Sequence, residues 1–144
     1  MTPVLASHFA DYAAFHQTPG NRACHMVGIP LIVFTLIAML ARVPLFALGG
    51  FTVTLAELLI VAVTAYYLTM DKALALVMLA ASAAFAAAGR FMPFSASLAL
   101  FVLGWVLQFV GHYVYEKKSP AFFRNFTHLL VGPLWILAKV SGRA

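Results

Sequence analysis

Long apolar runs, broken at short intervals by one or two polar residues, set the pattern of this chain. Positions 29 to about 39 are almost wholly apolar, and Arg42 and Pro44 close that run. A second run covers about 51–69 and holds Glu57. A third covers about 73–88 and is rich in alanine. A fourth covers about 94–115. The later three approach the roughly 20 residues a helix needs to cross a bilayer, and the first does so once the helix leading into it from Asn21 is counted. Asp71-Lys72, and Gly89-Arg90 with Pro93, form the polar connections. Gly104 and Gly111 in the fourth run would let a neighbouring helix come close.

The two ends read differently. Leu5, Phe9, Tyr12 and His16 recur at helical spacing, with Ser7 and Asp11 off that face. Residues 4–17 therefore predict an amphipathic helix lying in the interface, too short to span. Pro19-Gly20-Asn21 reads as a turn, with Asn21 the N-cap of the first spanning helix. Gly28-Ile29-Pro30 then permits a kink or a restart. Glu116-Lys117-Lys118-Ser119-Pro120 is a stop. Residues 121–140 form a last apolar segment interrupted by Gly132-Pro133. The pattern predicts an all-α integral membrane protein, a single domain over 1–144. It has about four transmembrane helices, an N-terminal interfacial helix and a C-terminal interfacial or re-entrant helix.

Composition agrees with a lipid environment. The 144 residues are 64% hydrophobic and 9% charged, where soluble domains carry about a quarter charged residues. The net charge of +5 reads as membrane orientation rather than a nucleic-acid surface. With four spans, Arg22, Lys72, Lys117, Lys118, Arg124, Lys139 and Arg143 share one side, and Arg42 and Arg90 take the other. The positive-inside rule then puts both termini and all five histidines in the cytosol. Met1-Thr2-Pro3 lacks a basic n-region, so no cleaved signal is expected. Cys24 stands alone, so any metal here needs nitrogen and oxygen ligands.

The candidate chemistry lies at one rim. Gln108, His112 and Glu116 stand at i, i+4 and i+8 on one helix stripe. Metal ligation by His112 fits that row, with Glu116 as a ligand or a partner to one and Gln108 as a hydrogen-bond donor deeper in the pocket. The bland reading of Glu116 is a helix end meeting headgroups. His16 and His25 flank a turn that can fold both onto one centre, with Asn21 capping, orienting a ligand or both. His128 sits among Phe122, Phe123, Phe126 and Leu129-Leu130, so it needs a partner. It is either a fourth metal ligand or a hydrogen-bonded packing histidine. His8 points off this face. Glu57 is more simply a partner for Arg42 or Arg90.

Two blocks carry a resemblance: His16-x4-Asn21-Arg22-x2-His25-x2-Gly28-Ile29-Pro30, and Trp105-x2-Gln108-x2-Gly111-His112-x3-Glu116-x3-Pro120-Ala121. They resemble the Mpo-like family of small membrane proteins (metabolism of phytosphingosine to odd-numbered fatty acids), relatives of a yeast 2-hydroxy fatty acid dioxygenase. The tail Asn125-x2-His128-Leu129-Leu130-x-Gly132-Pro133-Leu134 extends the likeness. The resemblance implies Fe(II)-dependent α-oxidation of a 2-hydroxy fatty acid with dioxygen as co-substrate, in a bacterial inner membrane. It carries the family's histidines onto His16, His25 and His112, and Asn21 and Glu116 match its pattern. His128 fits the bacterial relatives better than the yeast enzyme. The competing class is a small membrane transporter or lipid-binding protein, for which the interior offers few polar groups beyond Glu57 and Gln108.

Overall fold

The computed structural model describes residues 1–143 and is 74% helical. Helix α1 covers Pro3–Ala14 and α2 covers Pro19–Leu40; α3 covers Leu55–Leu68 and α4 covers Lys72–Gly89. Helix α5 covers Phe94–Val110 and continues as a π-helical turn over Gly111–Glu116. After a 3₁₀ turn at Ala121–Phe123, α6 runs over Thr127–Val140. Three of these are long and apolar enough to cross a membrane: Pro19–Leu40, Lys72–Gly89 and Phe94–Glu116.

Three local expectations are corrected. Pro19-Gly20-Asn21 is the first turn of α2 rather than a preceding turn, and its cap is Thr18, whose hydroxyl accepts the Asn21 amide. Proline at the first helical position carries no amide to orphan, so it starts a helix well. There is no restart at Gly28-Ile29-Pro30; α2 runs through Pro30 unbroken. The second run does not begin as helix at 51. Strand β1 (Pro44–Leu48) and strand β2 (Phe51–Thr54) form an antiparallel hairpin across Gly49-Gly50. Both glycines have positive φ, 52° and 84°, as a two-residue hairpin turn requires. Thr54 and Glu57 then build a capping box that starts α3 at Leu55. At 14 residues α3 is about 21 Å long, shorter than the roughly 30 Å hydrocarbon core.

Helix α2 lies at the centre. It packs most extensively on α5 and also meets α3, α4 and α6. Close approach to α5 depends on a glycine pair: a Cβ on Gly104 would sit 2.7 Å from the Ile32 side chain and 3.1 Å from the Gly28 carbonyl oxygen. Outward positions such as Val61, Leu76 and Val102 are more than half exposed, whereas Thr35, Ser82 and Ser97 are buried. An apolar exterior over small polar residues inside is the arrangement a bilayer favours.

Helices α1 and α6 lie together against the end of the bundle that holds the α3–α4 connection. Leu5, Phe9 and Tyr12 of α1 join Leu134 and Trp135 of α6 and Tyr67, Met70 and Leu74 in one buried cluster. Asp71 caps α4 by accepting the Leu74 amide at 3.0 Å, and the Arg143 guanidinium lies 3.4 Å away. A smaller cluster around Ile37, Ala56 and Ala86 closes the opposite end.

Candidate metal centre

His16, His25 and His112 come from three separate stretches and meet at the α1–α6 end of the bundle. His16 follows the C-terminus of α1, His25 lies in the second turn of α2, and His112 is the second residue of the π-helical turn after α5. All three are buried. Their ring centroids are 4.3 Å (His16–His25), 4.9 Å (His16–His112) and 4.8 Å (His25–His112) apart. One ring nitrogen from each lies within 4.8 Å of the others.

Two of the rings are oriented by backbone. His16 Nδ1 donates to the Tyr12 carbonyl at 2.6 Å, and His25 Nδ1 donates to the Asn21 carbonyl at 2.9 Å. Each bond leaves Nε2 as the bare nitrogen. A second-sphere carbonyl holding the far ring nitrogen is the usual setting of a metal-bound histidine. Tyr12 also stacks on His16, with centroids 4.0 Å apart and planes 14° from parallel. Burial raises the Tyr12 phenol above its ordinary range, so it stays neutral. Burial pushes the His16 imidazole down to about 4, against the Tyr12 carbonyl that favours the charged ring. His16 is therefore neutral near pH 7, as a ligand must be.

Glu116 fastens the α1–α2 connection. Its carboxylate accepts the Gln17 amide (3.1 Å), the Thr18 amide (3.0 Å), the Thr18 hydroxyl (3.0 Å) and the Asn21 side-chain amide (3.1 Å). Those bonds fix the segment that carries His16 and starts the helix carrying His25. Gly111 makes the approach possible, because a Cβ there would lie 2.5 Å from Asn21 Oδ1. The π-helical turn ends at Lys117, the one non-glycine residue among those described with positive φ, 55°. Such turns are frequent at functional positions. Gln108, His112 and Glu116 all remain buried on one stripe through it.

His128 stands outside the three-histidine group. Its Nε2 lies 2.7 Å from Asp11 Oδ2, and its ring packs near Tyr12 and Phe15. Asp11 sits on the α1 face expected to be polar and is half-exposed. Sequence reasoning missed Asp11, Tyr12 and Thr18 as parts of this region. The Thr18-Pro19 pair was a readable cap signal; the pairing of Asp11 with a residue 117 positions away was not.

Among the described residues, the buried side-chain nitrogens and oxygens without a hydrogen-bond partner are His16 Nε2, Asn21 Oδ1, Gln108 Nε2, His112 Nδ1 and His128 Nδ1. A buried polar atom without a partner is costly, about 1–3 kcal/mol, and these five lie at one end of the bundle. Two neutral imidazoles with bare Nε2 atoms, and a third beside them, fit a first-row transition metal.

The histidines open onto a cavity of about 260 Å³ that runs up between the helices. His16, His25, Gln108, His112 and His128 line its polar end; Ile32, Leu36, Leu59, Ile60, Ser82 and Phe101 line part of the rest. From His25 to Ile37, both on its wall, α2 rises about 18 Å. The cavity thus joins the histidine end to a long apolar slot. At the far end Glu57 pairs with Arg90 at 2.8 Å, while the Arg42 guanidinium donates to the Met92 carbonyl.

Comparison with known proteins gives the family. The family model described as 2-hydroxy-palmitic acid dioxygenase Mpo1-like matches residues 3–144. The 2-hydroxy-palmitic acid dioxygenase MPO1 of Saccharomyces cerevisiae is 31% identical over 134 residues, covering 92% of this chain and 77% of the yeast protein. No solved structure matches.

Proposed function

The chain belongs to the Mpo1-like family, and on that premise we propose that it is an iron(II)-dependent dioxygenase of the membrane that shortens 2-hydroxy fatty acids by one carbon. The reading rests on the five unsatisfied polar atoms gathered beside one apolar cavity. In this reading His16, His25 and His112 hold the ion. When bound, iron(II) supplies one-electron chemistry with dioxygen, and a three-imidazole set leaves coordination positions open. One dioxygen balances the 2-hydroxy acid against the shorter acid, carbon dioxide and water.

The chain's own groups do the rest. The apolar slot between α2, α3 and α5 takes the acyl chain and keeps water from it. That leaves the carboxyl and 2-hydroxyl at the histidine end. Gln108, a turn deeper than His112, offers its free amide hydrogen to an oxygen of the substrate. Glu116 and Asn21 hold the α1–α2 connection so that His16 and His25 keep their places.

The same reading places α2 to α5 across the bilayer, with α3 completed by the hairpin, and lays α1 and α6 in the interface. In this reading that end and both termini face the cytosol at a bacterial inner membrane; the excess of Lys and Arg at the histidine end supports the orientation. The substrate then enters from the inner leaflet.

The test is turnover. Protein purified in detergent and reconstituted with iron(II) is incubated with 2-hydroxypalmitic acid under oxygen, and products are read by mass spectrometry. The expected product is the acid one carbon shorter, formed only with oxygen. Its absence from protein that retains iron would overturn the reading.

A further inference from the structure

We infer that the Asp11–His128 pair is the element that recognises the 2-hydroxyl group of the substrate; this rests on the proposed activity and assigns the pair a role distinct from metal binding. A carboxylate only accepts hydrogen bonds, so the 2.7 Å contact to Asp11 Oδ2 requires the proton on His128 Nε2. In the neutral ring Nδ1 is then a bare acceptor, the tautomer fixed by its carboxylate partner. That Nδ1 is buried and has no partner in the protein. The residue is 7% exposed and is among those lining the cavity, with its ring 5.7 Å from that of Tyr12.

An acceptor in that position discriminates in one direction. The hydroxyl of a 2-hydroxy acid has a hydrogen to donate; the ionised carboxylate of a plain fatty acid has none. A buried acceptor left without a donor costs free energy, so the plain acid binds with Nδ1 still unsatisfied. The other unpartnered polar atoms lining the cavity do not repeat this function. Those of His16 and His112 belong to the three-histidine group, and Gln108 Nε2 is a donor. Asp11 reaches solvent, and its effect on ligand preference passes through the His128 ring. His128 is thus a specificity-determining residue and Asp11 a positioning one.

The test compares binding of 2-hydroxypalmitic acid and palmitic acid to iron(II)-loaded protein without oxygen, followed by tryptophan fluorescence, with bound iron measured alongside. Wild type is expected to prefer the hydroxy acid by about tenfold, the worth of one buried hydrogen bond. In His128→Gln the side-chain amide nitrogen can keep the contact to Asp11, while the amide oxygen, one bond further out than Nδ1, does not take its place, so the preference should fall to about one. In His128→Asn an oxygen replaces Nδ1, and most of the preference should return. Both variants should keep their iron.

Four outcomes overturn the inference: no preference in wild type, an unchanged preference in His128→Gln, no recovery in His128→Asn, or loss of iron with either change. The last would make His128 a metal ligand. Failure of wild type to bind either acid would instead sink the parent activity, and this inference with it.

Discussion

The two ends of the helix bundle hold similar kinds of residue and use them in opposite ways. At the hairpin end, Glu57, Thr54, Arg90 and Arg42 satisfy one another or the backbone near the surface. At the α1–α6 end, His16, His112, His128, Gln108 and Asn21 are buried, and each keeps an atom without a partner. Polarity alone therefore does not mark a site in a membrane protein. Burial with an unmet hydrogen-bonding or ligating capacity is the sharper sign, because a buried polar atom without a partner is costly.

The largest effect that sharpens this contrast is expected from His112→Ala. Activity and metal retention should both be abolished, while circular dichroism and detergent gel filtration show a folded protein. Next is Glu116→Gln, which weakens the clasp on Gln17, Thr18 and Asn21 without touching the three rings. Metal affinity should fall about 10- to 100-fold, as for other groups that orient ligands, read by competition with a chelator.

Acid should act on the same end. His16 is protonated near 6.5 in the unfolded chain but only at about 4 in the folded one. Lowering the pH through that interval favours the unfolded state, so the stability contributed by the neutral ring is complete above 6.5 and lost towards 4. Thermal unfolding of the metal-free protein should show this slope, and His16→Gln should flatten it. The smallest effect belongs to the hairpin end. Arg90→Ala breaks a partly exposed ion pair and should cost about 1 kcal/mol or less, with turnover unchanged. A large loss of activity there would erase the distinction between the ends.

Much of the architecture was legible in the chain. The third and fourth apolar runs became α4 and α5 within a few residues, because uninterrupted apolar sequence ended by Asp71-Lys72, Gly89-Arg90 and Lys117-Lys118 leaves few alternatives. The hairpin was not legible: 51–54 is apolar enough to read as helix, and the decision lay in Gly49-Gly50 and the Thr54–Glu57 capping box. The convergence of His16, His25 and His112 was guessed from turn and stripe geometry together with the family likeness. The hold of Glu116 on residues 17, 18 and 21, nearly a hundred positions away, was beyond any local pattern. So was the pairing of His128 with Asp11, since a residue on the polar face of an amphipathic helix gives no sign of a distant partner.

The central claim is that the three rings form one metal site, and elemental analysis of the purified protein after iron(II) reconstitution and desalting tests it most directly. About one iron per chain in wild type, and none when His16, His25 and His112 are all replaced by alanine, is the predicted result. Wild type that retains no metal, or a triple variant that retains as much as wild type, would contradict it.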